Sequence, residues 1–157
     1  MAAQQNLLRN PAKWVILLAA AACVSFTTQS PEYLAFKDAL IATETGSVTN
    51  KYLAVKDGDN GEAIGVFQIH YAYWLDTVGL DTNIVGNYEQ CRDFAYASRV
   101  VDAYLMHYGS NDIASGNWER LARIHNGGPY GVEKDATRKF WLKVKNTLNG
   151  NTNANIY

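Results

Sequence analysis

The chain has 157 residues, 48% of them hydrophobic and 18% charged, with 14 basic residues against 15 acidic ones for a net charge of −1. That length suits one domain with a substantial core, and that balance belongs to a folded globular chain rather than a disordered one. The Lys and Arg residues form no run, which argues against a nucleic-acid partner and makes steering onto an anionic surface weak.

Residues 1–26, "MAAQQNLLRNPAKWVILLAAAACVSF", carry Arg9 and Lys13 as their charges and then run apolar from Trp14 to Phe26. This is the pattern of a signal peptide, and the run is shorter than the roughly 18 to 20 residues that span a bilayer. "AAAC" ending at Cys23 also resembles a bacterial lipoprotein box, so the expected location is secreted or periplasmic, with a lipid anchor as the second form. Removing this segment takes two basic and no acidic residues from the totals and leaves a net charge of −3. It also leaves Cys91 alone, so no internal disulfide is expected and Cys91 reads as a small buried hydrophobe.

The domain is expected over residues 27–148. In "SPEYLAFKDALIATETGS", Ser30 can cap, Pro31 suits the first turn, Glu32 complements the dipole and Gly46 ends the element, which predicts a helix over 31–45. On it Phe36, Leu40 and Glu44 recur at i, i+4, i+8, so an apolar stripe ends on a carboxylic acid. The glycines and "KYLAV" between Gly46 and Gly65 predict a loop with a short hairpin. "VFQIHYAYWLDT" reads as helical in its second half. "NYEQCRDFAYASRVVDAYLMHYG" predicts a long helix capped by Asn87 and Gln90, with Tyr88, Cys91, Ala95, Leu105 and Tyr108 on one face and a stop at Gly109. "NWERLARIH" from Asn117 is a shorter helix broken by "NGGP". "EKDATRKFWLKVKNTLNG" is a last amphipathic helix burying Phe140, Trp141, Val144 and Leu148. Residues 149–157 read as a flexible tail. The fold class is α+β, mostly helical, with a small irregular or hairpin insert after the first helix.

Glu44 and the acidic stretch "DGDNGE" that follows suggest paired-carboxylate chemistry. Glycoside hydrolysis needs one carboxyl kept protonated by an apolar setting and one kept ionised by a polar one. Glu44 suits the first role, and Asp57 or Asp59 in the glycine-rich loop suits the second. The competing reading is a frayed helix end followed by ordinary acidic turns. No metal is expected, because Cys91, His70, His107 and His125 form no pair at ligand spacing. As an EF-hand loop "DGDNGE" also fails, with Glu62 and Gln68 standing where the sixth Gly and the twelfth Glu are required.

"ATETGS", an acidic loop, "GVFQIHYAYWLD", "YEQCRDFAYASRVVDAYLMHYG", "LARIHNGGPYG" and "TRKFWLKVKNTL" resemble, in the same order, the invertebrate-type (i-type, destabilase-like) lysozymes and their bacterial relatives. The resemblance covers about Ala35 to Leu148, and "ARIHNGGP.G" is its most specific part. It implies a lysozyme-like fold with a cleft for peptidoglycan glycan strands, no cofactor, and muramidase activity at the bond between N-acetylmuramic acid and N-acetylglucosamine. Glu44 matches the family's proton-donating glutamate. For the family's second carboxylate, counting back from Gly65 puts Asp59 one residue too close and Asp57 one too far; relatives with a "GD.G..LG" loop favour Asp59. Glu62 ranks third and reads as solvated.

The same resemblance implies that Gln68, Ile69, Tyr73 and Trp74 wall the cleft, while His125, Asn126, Gly127, Gly128 and Tyr130 form the opposite rim, the glycines letting backbone amides approach the substrate. For each aromatic, plain core packing is the competing reading. Two departures from the family pattern matter. The chain is cysteine-poor where animal members are cysteine-dense, which fits a microbial or divergent branch better. No serine lies between Asp57 and Gln68, so the isopeptidase activity credited to some members is not carried over. A monomer acting on glycan strands is expected, with a membrane contact only through a lipid anchor. The alternatives are a lytic transglycosylase in which Glu44 acts alone and a glycan-binding module that has lost turnover.

Overall fold

The Ser30 side chain accepts a hydrogen bond from the Tyr33 N–H (3.1 Å), Pro31 enters the first turn, and Gly46 closes the helix in the left-handed region at φ 70°. Helix α1, Pro31–Thr45, therefore starts and stops where its punctuation predicts. The structure is a computed structural model that describes residues 30–46 and 55–154. The N-terminal apolar segment and the "KYLA" part of the expected hairpin lie outside the described residues.

The remaining elements are β1 (Ala63–Ile64), β2 (Ile69–His70), α2 (Tyr71–Leu80), α3 (Phe94–Ser115), α4 (Trp118–Gly127) and α5 (Ala136–Ala154), with short 3-10 turns at Asp59–Gly61, Tyr88–Arg92 and Gly131–Glu133. Helix α5 packs on α1 and α4, α4 on α3, and α3 on α2. Phe36, Leu40, Val100, Val101, Leu105, Leu121, Ile124 and Val144 meet in one core and are each fully buried. This is the mostly helical α+β, lysozyme-like arrangement that the sequence implies.

Among the described residues the chain forms one short hairpin around Gly65. Strands β1 and β2 pair antiparallel with Ala63 opposite His70 and Ile64 opposite Ile69, so the pairing straddles Gly65 and takes its return strand from the stretch that reads as helix entry. Gly65 turns the chain at φ 70°, and a Cβ there would stand 2.0 Å from the Cys91 carbonyl oxygen. Only a residue without a side chain fits that approach. The loop residues Val66 and Phe67 are themselves core, at 1% and 0% exposure. They anchor the hairpin to the helices.

Two features of the long helix also differ. The capping box of Asn87 and Gln90 is present, with the Asn87 N–H bonded to Gln90 Oε1 at 2.8 Å, but it caps the Tyr88–Arg92 turn. Asp93 then caps α3 anew by accepting from the Tyr96 N–H (2.9 Å). The break shifts the phase, so Ala95 faces solvent while Tyr96 and Ala97 are buried. At Gly109 the helix kinks (φ −147°, ψ 31°) rather than stops, and continues to Ser115. A Cβ at Gly109 would sit 2.6 Å from Leu121 Cδ2, so the glycine lets α4 lie close to α3. Cys91 is a buried free thiol, as expected, and burial with nearby Glu89 pushes its pKa up to about 12. Phe140, Trp141 and Leu148 pack with Val144 against the core, and the α5 backbone stays helical to Ala154, past the expected end of the domain.

One buried charge cluster ties α1 to α3. Lys37, 7% exposed at its side chain, pairs with Asp102 at 2.7 Å and donates to the Ser98 hydroxyl, while the Tyr33 hydroxyl donates to the same Asp102 oxygen at 3.0 Å. Burial and the Asp102 charge raise the Tyr33 pKa far above its ordinary value, which keeps that hydroxyl a donor. A buried ammonium is tolerable there because it is paired with Asp102 and also hydrogen-bonded to Ser98.

Candidate active site

Glu44 stands one turn beyond Leu40 on the buried face of α1, at the helix end, with 18% of its side chain exposed. Its Oε1 lies 3.6 Å from Nε2 of His125, whose side chain is only 3% exposed. His125 comes from the last turn of α4 and is enclosed by the rings of Phe67, Tyr73 and Phe140. Tyr73 Oη is 3.5 Å from His125 Nδ1, and its ring stacks on Tyr104 at 3.7 Å between centroids. Burial holds the Tyr73 hydroxyl well above its ordinary pKa, so it stays neutral.

The acidic loop faces this group. Asp59 and Asn60 adopt left-handed backbone (φ 46° and 60°), which these residue types tolerate better than most, and the turn is closed by the Gly61 N–H bonding Gly58 O at 2.8 Å. Gly58 pairs with Ala63, which joins the loop to the hairpin. The Asp59 side chain is 71% exposed and lies 2.9 Å from Nε2 of His70. A cavity of about 230 Å³ is lined by Glu44, Asp59, Ala63, Gln68, His70, Tyr73, His125 and Asn126. A wider open groove continues from it past Glu44, Asp57, Asp59 and Gln68.

The two candidate aspartates are thus separated. Asp57 is held by the Arg92 guanidinium, which also bonds Glu89 at 2.9 Å, and this hydrogen bond holds the Asp57 carboxyl below the usual carboxylate range. Asp57 lines the outer groove, whereas Asp59 lines both the groove and the inner cavity with Glu44. One enclosed and one solvated carboxyl face each other across a common space, the asymmetry that acid and base roles require.

Of the other expected cleft residues, Gln68, Tyr73, His125 and Asn126 line the cavity. The Gln68 amide is fixed by donating to Gly65 O (2.8 Å) and Lys56 O (3.3 Å), and a Cβ on Gly58 would collide with it at 2.1 Å. Ile69 and Trp74 are placed elsewhere. Ile69 is 1% exposed in the core because it is the inward residue of its strand, and Trp74 donates its indole N–H to Tyr96 Oη (3.0 Å) within a Tyr71–Trp74–Tyr88 cluster. The glycine rim also departs from expectation. Gly128 (φ 80°) gives its N–H to Ile124 O at 2.8 Å, and Gly127 O accepts from Lys134 Nζ at 2.6 Å, so these groups close α4 rather than face the cavity. Tyr130 stands beyond them, 69% exposed.

The site residues that the sequence reading lacks are His70 and Arg92, which hold the two aspartates. His70 carries a readable signal: next to an inward Ile69 in a strand, it must point outward. Among the described residues no group of three or more His, Cys, Asp or Glu converges as a metal site, and no helix is long and apolar enough to cross a membrane.

The fold and site define a mostly helical α+β domain whose first helix and hairpin loop present two carboxyls to one cleft. The Destabilase family model matches residues 40–147, and the chain belongs to that family. Similar curated proteins are "Lysozyme 1" of Crassostrea virginica, 37% identical over 87 residues covering 55% of this chain and 45% of the relative, and "Lysozyme" of Ostrea edulis, 39% identical over 83 residues covering 52% and 58%. "Invertebrate-type lysozyme" of Ruditapes philippinarum is 35% identical over 79 residues, covering 49% of this chain and 54% of that protein. The chain spans about half the length of the curated relatives it matches.

Proposed function

We propose that this domain is a lysozyme that hydrolyses the β-1,4 bond between N-acetylmuramic acid and N-acetylglucosamine in peptidoglycan, with Glu44 as proton donor and Asp59 as the second carboxylate. The observation that carries the reading is the shared cavity of Glu44 and Asp59 in a Destabilase-family chain. Glu44 protonates the glycosidic oxygen as the bond to the anomeric carbon breaks. Asp59, across the cavity, then either bonds to the oxocarbenium-like carbon or takes a proton from the attacking water. Asn126 and the Gln68 carbonyl oxygen are the amide groups this cavity offers to the sugar, with Tyr73 forming part of its wall. The segment 1–26 supports action outside the cytoplasm, where this polymer lies.

The test is product analysis of purified peptidoglycan incubated with the domain. New reducing muramic ends are the expected result. Anhydro ends would transfer the domain to the transglycosylases, and binding without cleavage would leave a receptor.

The paired aspartates give a sharper expectation. Asp59→Asn is expected to slow cleavage by about 10²-fold or more, since it removes the group that stabilises the cation or activates water. Asp57→Asn is expected to keep most of the activity and to lose stability through the Arg92 contact. Because the Asp57 pKa is depressed from 3.8, that contribution is present at neutral pH and disappears as pH falls below 3.8 through the folded value. Unfolding curves of wild type and Asp57→Asn should therefore differ at pH 7 and converge in acid. The reverse ranking of the two variants in activity would move the second carboxylate to Asp57.

A further inference from the structure

We propose that His70 is the positioning residue of the second carboxylate, and that through it cleavage responds to imidazole protonation. This rests on the hydrolase reading above. The register of β1 and β2 sets His70 opposite Ala63 at the strand end, where its side chain turns into the cavity rather than into the core. Its Nε2 is 2.9 Å from Asp59 Oδ2, a direct hydrogen-bond distance. Asp59 needs such a fastening. It sits on a left-handed turn with its side chain 71% exposed, and a free carboxylate there would sample several rotamers.

The contact has two consequences. It occupies one carboxylate oxygen and leaves the other to face the sugar or the water. It also makes the Asp59 charge conditional. A neutral imidazole with its proton on Nε2 donates one hydrogen bond and leaves the carboxylate anionic and available. An imidazolium pairs with the anion and opposes its attack on a cationic centre. Imidazole is the side chain whose unperturbed form changes charge between about pH 5 and 8, which is why a histidine in this position is suited to such a switch. The titratable groups that share its cavity are Asp59 from the loop, Glu44 from α1, Tyr73 from α2 and His125 from α4. His125 Nε2 lies 3.6 Å from Glu44 Oε1, beyond direct hydrogen-bond length, so of the two histidines His70 makes the closer contact with a carboxyl.

The test follows the His70 ring by NMR through a pH titration in wild type and in Asp59→Asn, with cleavage of soluble glycan measured over the same range in wild type, His70→Gln and His70→Ala. The His70 ring signals are expected to differ between wild type and Asp59→Asn, because the substitution alters the partner that His70 Nε2 contacts at 2.9 Å. His70→Ala is expected to lower kcat about tenfold with KM little changed, and His70→Gln to recover part of that loss because its amide still donates. In both variants the neutral-range step of the wild-type pH profile should vanish. Unmoved His70 ring signals in Asp59→Asn, or a pH step that persists in His70→Gln, overturns the assignment. A wild type that cleaves nothing overturns the hydrolase reading instead, and the NMR titration reports that case separately.

Discussion

Glu44→Gln should reduce glycan cleavage by about 10²- to 10⁴-fold, the range that a positioned general acid supplies, while the unfolding midpoint stays close to wild type. The substitution is nearly isosteric and falls in the last turn of α1, where Gly46 and the Thr45 hydroxyl, bonded to Ile41 O at 2.7 Å, close the helix independently of the carboxyl. The His125 contact at 3.6 Å exceeds direct hydrogen-bond length, so its loss costs little structure. A glutamine amide fills the same space and can donate a hydrogen bond, yet it has no acidic proton to transfer to a leaving oxygen. Turbidity loss of cell walls and release of reducing ends check the rate, and circular dichroism melting checks the fold. Wild-type turnover in a folded Glu44→Gln protein would remove the proton donor from the mechanism. A variant that fails to melt cooperatively would instead show that the carboxyl supports the helix end.

The parts of this domain legible in its sequence were those written in local chemistry. Ser30, Pro31 and Gly46 mark α1, and Asn117 marks α4 by accepting from the Arg120 N–H at 3.4 Å. Glu44 was legible because a helical stripe fixes its direction. What local signals missed was decided by contacts between distant segments. The capping box at Asn87 looks like the start of α3, but Asp93 restarts the helix, and only the packing of Tyr96 and Ala97 into the core decides between them. Gly109 looks like a stop, yet Leu121 from α4 lies against it and α3 runs on. The ambiguity between Asp57 and Asp59 arises in the same way. Their sequence surroundings are nearly equivalent, and what separates them is Arg92, 35 positions from Asp57, against His70 on the neighbouring strand. Ile69 and Trp74, placed in the cleft by resemblance, are packing residues here. Strand alternation fixes the first, and the Tyr96 hydroxyl the second.

Two glycine-to-alanine substitutions should move stability in opposite directions, and the contrast tests how the rim of the cleft is built. Gly131 lies in the 3-10 turn that wraps back over α4. A Cβ there would stand 1.8 Å from the Arg123 carbonyl oxygen and 2.6 Å from its carbon, both backbone atoms that no rotamer change can move. The turn is held by Arg123, whose buried guanidinium donates to Val132 O (2.6 Å), Lys134 O (3.3 Å) and the Thr137 hydroxyl (3.0 Å), while that hydroxyl bonds Gly131 O at 2.7 Å. Pushing Gly131 away strains all of these at once, so Gly131→Ala is expected to cost about 3 kcal/mol, the upper range for overpacking. At this size that is a fall of roughly 10 °C in melting temperature. Gly79 lies in α2 with open space around it, and there the added methyl lowers only the freedom of the unfolded chain. Gly79→Ala is expected to stabilise by about 0.5 to 1 kcal/mol. Because His125 and Asn126 lie in the last turn of the helix that this network grips, Gly131→Ala should also raise KM below its melting point, an effect Gly79→Ala should not share. Equal melting shifts in the two variants would mean that the turn yields freely, and that Arg123 does not fix the rim.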